Sequence, residues 1–269
     1  MKPVLVFDLE TIPDMAALRR LQHGSADQPD EAILAQANID DHPLKPALQQ
    51  IVAIAAAWIT PDGSLRRLTC LGTPAWNEAQ LIQEMFRIIG ESSPQLAGWN
   101  SGGFDLPVLI YRAMVHHVTA LGFYRAGANP YQGYRKRFDE DWHIDLMDIL
   151  SGYGASTRLK LDEMAAVLGV PGKMGVDGSQ VLPLYQAGQL EAIRTYCESD
   201  VLTTTLVYAR YAEHRGWWDD THVATFESSV ATWLDTQSGP TWDEWRSRWH
   251  PSSQILGQLC EHPADDQTG

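Results

Sequence analysis

Pro3-Val4-Leu5-Val6-Phe7-Asp8-Leu9-Glu10-Thr11 is an apolar run that turns acidic at its end. Its first residues suit a short buried β-strand, placed at about Pro3–Glu10. Side chains on a strand alternate with period two, so Asp8 and Glu10 leave the same face. Two neighbouring carboxylates repel each other, and a hard divalent cation between them resolves the conflict. On its own, an Asp-x-Glu pair at a strand end is often a solvated edge. Two later segments give this pair its weight.

The first is Leu96-Ala97-Gly98-Trp99-Asn100-Ser101-Gly102-Gly103-Phe104-Asp105. It reads as a strand at Gln95–Gly98 and a flexible turn. An apolar helix follows, opened by Asp105-Leu106-Pro107 and running to about His116. Asp105 falls in its first turn, either as a cap or as a ligand. The second, Tyr196-Cys197-Glu198-Ser199-Asp200, lies in a helical stretch from about Leu190 to His214. Tyr196 and Asp200 stand one turn apart on one face. Val201, Leu202 and Leu206 suit a buried surface, and a buried Asp among them needs a partner or a metal.

Together the segments supply Asp8, Glu10, Asp105 and Asp200 as oxygen ligands and Tyr196 as a positioned phenol. In order and spacing they resemble the three motifs of the 3′–5′ exonucleases with four acidic metal ligands and a tyrosine. The proofreading domain of family-B DNA polymerases is of this kind. The string from Phe7 to Asp14 is also similar to that of a stand-alone bacterial group of predicted polymerase-B-like exonucleases. The resemblance runs from about Lys2 to about Glu213. In a related branch a His stands where this chain has Thr195, so Tyr196 fits the tyrosine branch.

The resemblance implies a ribonuclease-H-like α/β fold, with a mixed five-stranded sheet flanked by helices. It also implies two divalent metal ions, Mg²⁺ or Mn²⁺, held by Asp8, Glu10, Asp105 and Asp200. Asp8 would bridge them, Asp105 would act largely through water, and Tyr196 would orient the attacking water. Two such ions about 4 Å apart can activate a water, neutralise the phosphate and stabilise the leaving oxygen. Leu9, Thr11, Asn100 and Phe104 would meet the terminal nucleotide. The implied reaction removes nucleoside 5′-monophosphates from the 3′ end of a nucleic acid, DNA favoured over RNA.

A net charge of −14 is a poor match to non-specific nucleic-acid binding, which depends on Lys and Arg. The charge is uneven, however. Residues 214–269 hold nine acids against three bases, and residues 22–44 hold five acids and no Lys or Arg. The centre is richer in Arg135, Lys136, Arg137, Arg158 and Lys160, which are candidate phosphate contacts. Tyr134 beside Arg135-Lys136-Arg137 suits base stacking with phosphate contact, or equally a solvated loop.

A length of 269 residues allows one large α/β domain with an appendage. The expected division is an exonuclease domain over residues 1–213 and a Trp-rich acidic extension over 214–269, docked on it. Six of the ten tryptophans fall in that extension, and Trp242, Trp245 and Trp249 share a helical face after a Thr241–Glu244 capping box. No run of about eighteen apolar residues occurs, so no membrane association is expected. Cys70, Cys197 and Cys260 share no metal spacing and read as reduced thiols of a cytoplasmic protein. Gly169-Val170-Pro171-Gly172-Lys173 lacks phosphate-loop spacing, so no nucleotide cofactor is expected.

Elsewhere, the patterning predicts a helix at Met15–Gln22 and a long acidic loop with one helical turn to Lys45. A hairpin at Gln50–Ile59 and Leu65–Leu71, an amphipathic helix at Glu78–Ile89 and a helix ending near Gly169 follow. Val118–Trp142 and Gly175–Gly178 read as irregular, and the residues from about His262 as disordered. His143 is assigned a hydrogen-bonded structural role, as are Asp145 and Asp148. Two rivals remain: the same chemistry on RNA, and a non-catalytic nucleic-acid-binding protein that keeps the fold.

Overall fold

The computed structural model describes residues 2–25, 28–38, 44–172, 174 and 178–251. Strand β1 (Val4–Pro13) leads through helices α1 (Met15–Leu21) and α2 (Asp30–Ala37) to the hairpin β2 (Gln49–Ile59) and β3 (Leu65–Cys70). Next come α3 (Glu78–Ser92), β4 (Gln95–Gly98), α4 (Asp105–Val115), α5 (Leu121–Arg125), β5 (His143–Asp145) and α6 (Leu146–Leu150). The chain continues through α7 (Leu161–Leu168), α8 (Val181–Gln186), α9 (Leu190–His214), α10 (Asp220–Asp235) and α11 (Pro240–Arg248). Lys173, Gly175 and the last residues from His262 lie outside the described residues.

The strands form one mixed sheet in the order β3-β2-β1-β4-β5. β1 is antiparallel to β2 and parallel to β4. Alternation along β1 divides the core in two. Val4, Val6 and Ile12 join Ala53, Ala55 and Ala57 of β2 under α9. Leu5, Phe7 and Leu9 face the opposite way, against α3 and α4. The small alanines matter because α9 is 25 residues long and lies across that face. Larger side chains there would lift it off the sheet.

The C-terminal segment closes the same side. Trp218, Phe226, Trp242 and Trp245 belong to the α9 core. Trp245 is 0 % exposed, and its indole N–H donates to Ser199 Oγ on α9 at 2.9 Å. α10 covers the edge strand β3. Leu65 N–H donates to Ser229 Oγ at 2.8 Å, and Trp233 Nε1–H donates to the Leu68 carbonyl at 3.1 Å. Cys70 N–H donates to Glu198 of α9 at 2.7 Å.

Several elements differ from expectation. β1 runs three residues further, past a bulge between Glu10 and Thr11. The acidic loop contains a full helix, α2, because Asp30 and Glu31 sit at its N-terminus, where the helix dipole favours them, and Ile33 anchors it in the interior. α10 was not foreseen. The capping box at Thr241 does not form: α11 begins at Pro240, with Gly239 at φ +110° as its cap. Proline at the first helical position needs no N–H partner, so the earlier start wins. Among the described residues, no helix is long and apolar enough to cross a membrane.

Candidate active site

The sheet's own register builds the site. Asp8 and Glu10 pair with Ala55 and Ala53 of β2, so no bulky neighbour crowds them. On the other side, β4 stops pairing at Val6. Leu9 N–H therefore lacks a strand partner there, and Asp105 Oδ1 accepts it at 3.1 Å. Asp105 thus ties the start of α4 to β1 rather than only capping its own helix. From the facing helix α9 come Tyr196, Cys197 and Asp200, all buried.

The four carboxylates act on one another. Burial, then Asp105 and Asp200, pushes Asp8 well above the usual carboxylate range. Burial, then Asp8, Asp200 and Asp105, does the same to Glu10. Burial lifts Asp105 to about 7, against the hydrogen bonds from its own and Leu9 N–H groups. Burial and the surrounding acids push the Tyr196 phenol up, so it keeps its proton at neutral pH. A cluster of covered, mutually repelling acids is what hard divalent ions neutralise. The donor set, oxygen-rich and mutually repelling, fits such ions. Asp8, Glu10, Asp105 and Asp200 are the residues that could hold them.

A second layer fixes these elements. Arg112 of α4 donates to Glu78 at 2.6 and 2.7 Å and also pairs with Asp14, all three being buried. Glu78 also accepts Ile51 N–H at 2.7 Å, while Asp14 caps α1 through Ala17 N–H. One guanidinium thus joins α4 to the exit of β1 and the start of α3. Asp145 accepts Asn100 N–H at 3.0 Å and Gly102 N–H at 2.9 Å, holding the turn before Asp105. His143 Nε2 meets Ser101 Oγ at 2.9 Å on the same turn. Nothing in local sequence pointed to the Asp14–Arg112–Glu78 group.

Among the expected nucleotide contacts, Leu9 is corrected: its side chain is in the core and its N–H is taken by Asp105. Thr11 and Asn100 are partly exposed, and Asn100 holds φ +59°. Phe104 is partly exposed at the α4 cap. Tyr134 cannot stack on a base, because it is buried, stacked on Phe123 with its hydroxyl on the Pro94 carbonyl at 2.8 Å. An apolar cluster with a satisfied hydroxyl outcompetes exposure for a tyrosine.

Arg135, Lys136, Arg137, Arg158 and Lys160 are exposed. Arg137 and Arg158 both grip Asp148, at 2.6 to 2.8 Å. Arg135, Arg137 and Arg158 line a cleft of about 450 Å³ that starts at Asn100 and Gly102. The acids lie just beyond that turn, not in the cleft. Cys197, read from sequence only as a reduced thiol without metal spacing, reaches the site: its Sγ is 3.8 Å from Asp8 Oδ2. Its place beside Tyr196 was the available signal.

A solved family B DNA polymerase from the hyperthermophilic archaeon Pyrobaculum calidifontis superposes with a TM-score of 0.51 over 79 % of this chain, at 20 % identity. The shared region is 24 % of the polymerase, and at this identity the likeness is one of fold alone, a ribonuclease-H-like mixed five-stranded sheet flanked by helices. No curated protein matches the chain. Residues 42–249 match a family described as a predicted 3′–5′ exonuclease related to the exonuclease domain of PolB. Asp105, Tyr196 and Asp200 fall inside that match, and Asp8 and Glu10 lie ahead of it. The chain belongs to this family of predicted 3′–5′ exonucleases.

Proposed function

We propose that the enzyme shortens single-stranded or frayed DNA from its 3′ end, releasing nucleoside 5′-monophosphates. The observation that carries this reading is the convergence of Asp8, Glu10, Asp105 and Asp200, from β1, α4 and α9, on one largely buried and mutually repelling cluster. These four residues would hold two divalent ions, Mg²⁺ or Mn²⁺. Bound there, the ions would supply charge neutralisation and a more acidic water.

The chain's own residues do the rest. A water oxygen bonds to phosphorus, the bond to the adjoining 3′ oxygen breaks, and that oxygen takes up a proton. Tyr196, hydrogen-bonded to Asp200 and still protonated, orients the water rather than deprotonating it. The partly exposed Thr11, Asn100 and Phe104 surround the terminal nucleotide. Arg135, Lys136, Arg137, Arg158 and Lys160 meet the phosphates behind it. Exposed Tyr131 and Phe138, rather than Tyr134, offer rings for stacking along that path. Because Asp148 offsets part of the charge of Arg137 and Arg158, the grip is weak, salt-sensitive and poorly processive.

The test uses 5′-labelled single-stranded DNA and matched RNA with Mg²⁺ or Mn²⁺, beside Asp8→Ala and Asp200→Ala. A ladder shortening from the 3′ end of DNA, absent in both variants and with EDTA, is the expected result. Faster loss of the RNA would move the substrate to RNA. No cleavage of either would favour a binding protein.

A further inference from the structure

Cys197 belongs to the third motif, yet its thiol points at the first. Its Sγ lies 3.8 Å from Asp8 Oδ2 and 3.5 Å from the Asp8 carbonyl oxygen. That sulfur and a carboxylate oxygen from each of Asp8 and Glu10 all lie within 4.8 Å of one another. On a tetrahedral zinc ion, a thiolate sulfur and a carboxylate oxygen stand roughly 3.6 Å apart. The gap between Asp8 and Cys197 is already close to that. Glu10 is 7 % exposed, and its carboxylate meets no hydrogen-bond donor or cation among the described residues. An acid so largely covered, with an oxygen in the same space as the thiol and a second carboxylate beside it, favours a cation there.

Mg²⁺ takes oxygen and leaves sulfur alone, whereas Zn²⁺ and Cd²⁺ accept both. We propose that Asp8, Glu10 and Cys197 form a second, mixed carboxylate–thiolate seat for thiophilic divalent ions, and that an ion held there blocks hydrolysis by excluding the hard ions. The inference rests on the reading of Asp8 and Glu10 as ligands given above. Seating the ion forms a metal–sulfur bond and releases the thiol proton to solvent, with no change of oxidation state. Among the described residues the other buried thiol is Cys70, which is hydrogen-bonded to Cys197 but lies outside this ligand group.

The full chain is titrated with Cd²⁺, read by the sulfur-to-metal charge-transfer absorbance in the ultraviolet. Wild type should show the band, Cys70→Ser and Cys260→Ser should keep it, and Cys197→Ser should lose it. Circular dichroism checks the fold of Cys197→Ser. Should it fail, Asp8→Asn decides, with Cd²⁺ binding weakened about tenfold or more. In parallel, Zn²⁺ is titrated into hydrolysis run with Mg²⁺, and half-inhibition of Cys197→Ser should need about tenfold more Zn²⁺. No band in wild type, a band unchanged in Cys197→Ser, or Cd²⁺ binding unchanged in Asp8→Asn overturns the proposal. Hydrolysis without the band refutes the seat alone, and the band without hydrolysis refutes the exonuclease reading alone.

Discussion

Replacing Asp8 with Asn is expected to stabilise the metal-free protein while abolishing hydrolysis. Asp8 and Glu10 bring carboxylate oxygens within 4.8 Å of each other. Two full charges at that separation repel by about 3.5 kcal/mol at an effective dielectric near 20. Proton uptake caps that penalty, since burial and the other acids already raise both groups well above the usual range. The amide keeps the shape and removes the charge, but weakens the contact with the Cys197 thiol. A net gain of about 1–3 kcal/mol remains, or a Tm rise of roughly 3–10 °C. Saturating Mg²⁺ should reverse the order. An ion at about 1,000 times its Kd adds about 4.1 kcal/mol to wild type and far less to the variant. Thermal melts by circular dichroism in EDTA and in Mg²⁺ check both halves. A variant that melts below wild type in EDTA, or that gains as much from Mg²⁺, refutes the reasoning.

Arg112→Met keeps the apolar volume but takes the guanidinium from buried Asp14 and Glu78, leaving them the Ala17 N–H, the Ile51 N–H and His116, so a loss of about 3 kcal/mol is expected from urea midpoints. A loss under about 1 kcal/mol would count against the joint. Trp245→Ala should cost about 3–5 kcal/mol and, because Ser199 neighbours Asp200, lower activity as well; unaltered turnover would uncouple the two. Burial pushes His143 down from 6.5 to about 4. The unfolded chain takes up that proton first, so the residue's contribution is full above about pH 6.5 and is lost as pH falls toward about 4. The raised acids of the site act in the opposite direction, so the test is the difference: over that window wild type should lose urea midpoint relative to His143→Asn, and equal slopes would remove His143 from the account.

The candidate site was legible because it resides in short segments. Asp8 and Glu10 are set by strand alternation, and Tyr196 and Asp200 by one helical turn. The hairpin, α3, β4 and α9 carry strong periodicity, and their bounds lie close to expectation. β5 has three residues, too few for a period to register, and only the resemblance implied a fifth strand. Tyr134 misled because a ring beside three cations looks exposed until Phe123 and Pro94 arrive from elsewhere in the chain. The Arg112 joint is illegible for the same reason: its partners stand 98 and 34 residues away. Cys197 was visible but ambiguous, since one thiol beside a motif says nothing of where it points.

The side-chain cover on β3 bears on how the protein is made. A sheet edge with open N–H and C=O groups recruits strands from other molecules. Here Ser229 and Trp233, from α10, and Glu198, from α9, occupy such groups at Leu65, Leu68 and Cys70. All three follow β3 by more than a hundred residues, so during synthesis this edge stands open until they emerge. Nascent chains are then most prone to pair with one another, and a fragment ending at residue 213 would keep that hazard for life. Expression of the catalytic region without its tryptophan-rich tail is thus expected to yield aggregates rather than a smaller soluble enzyme.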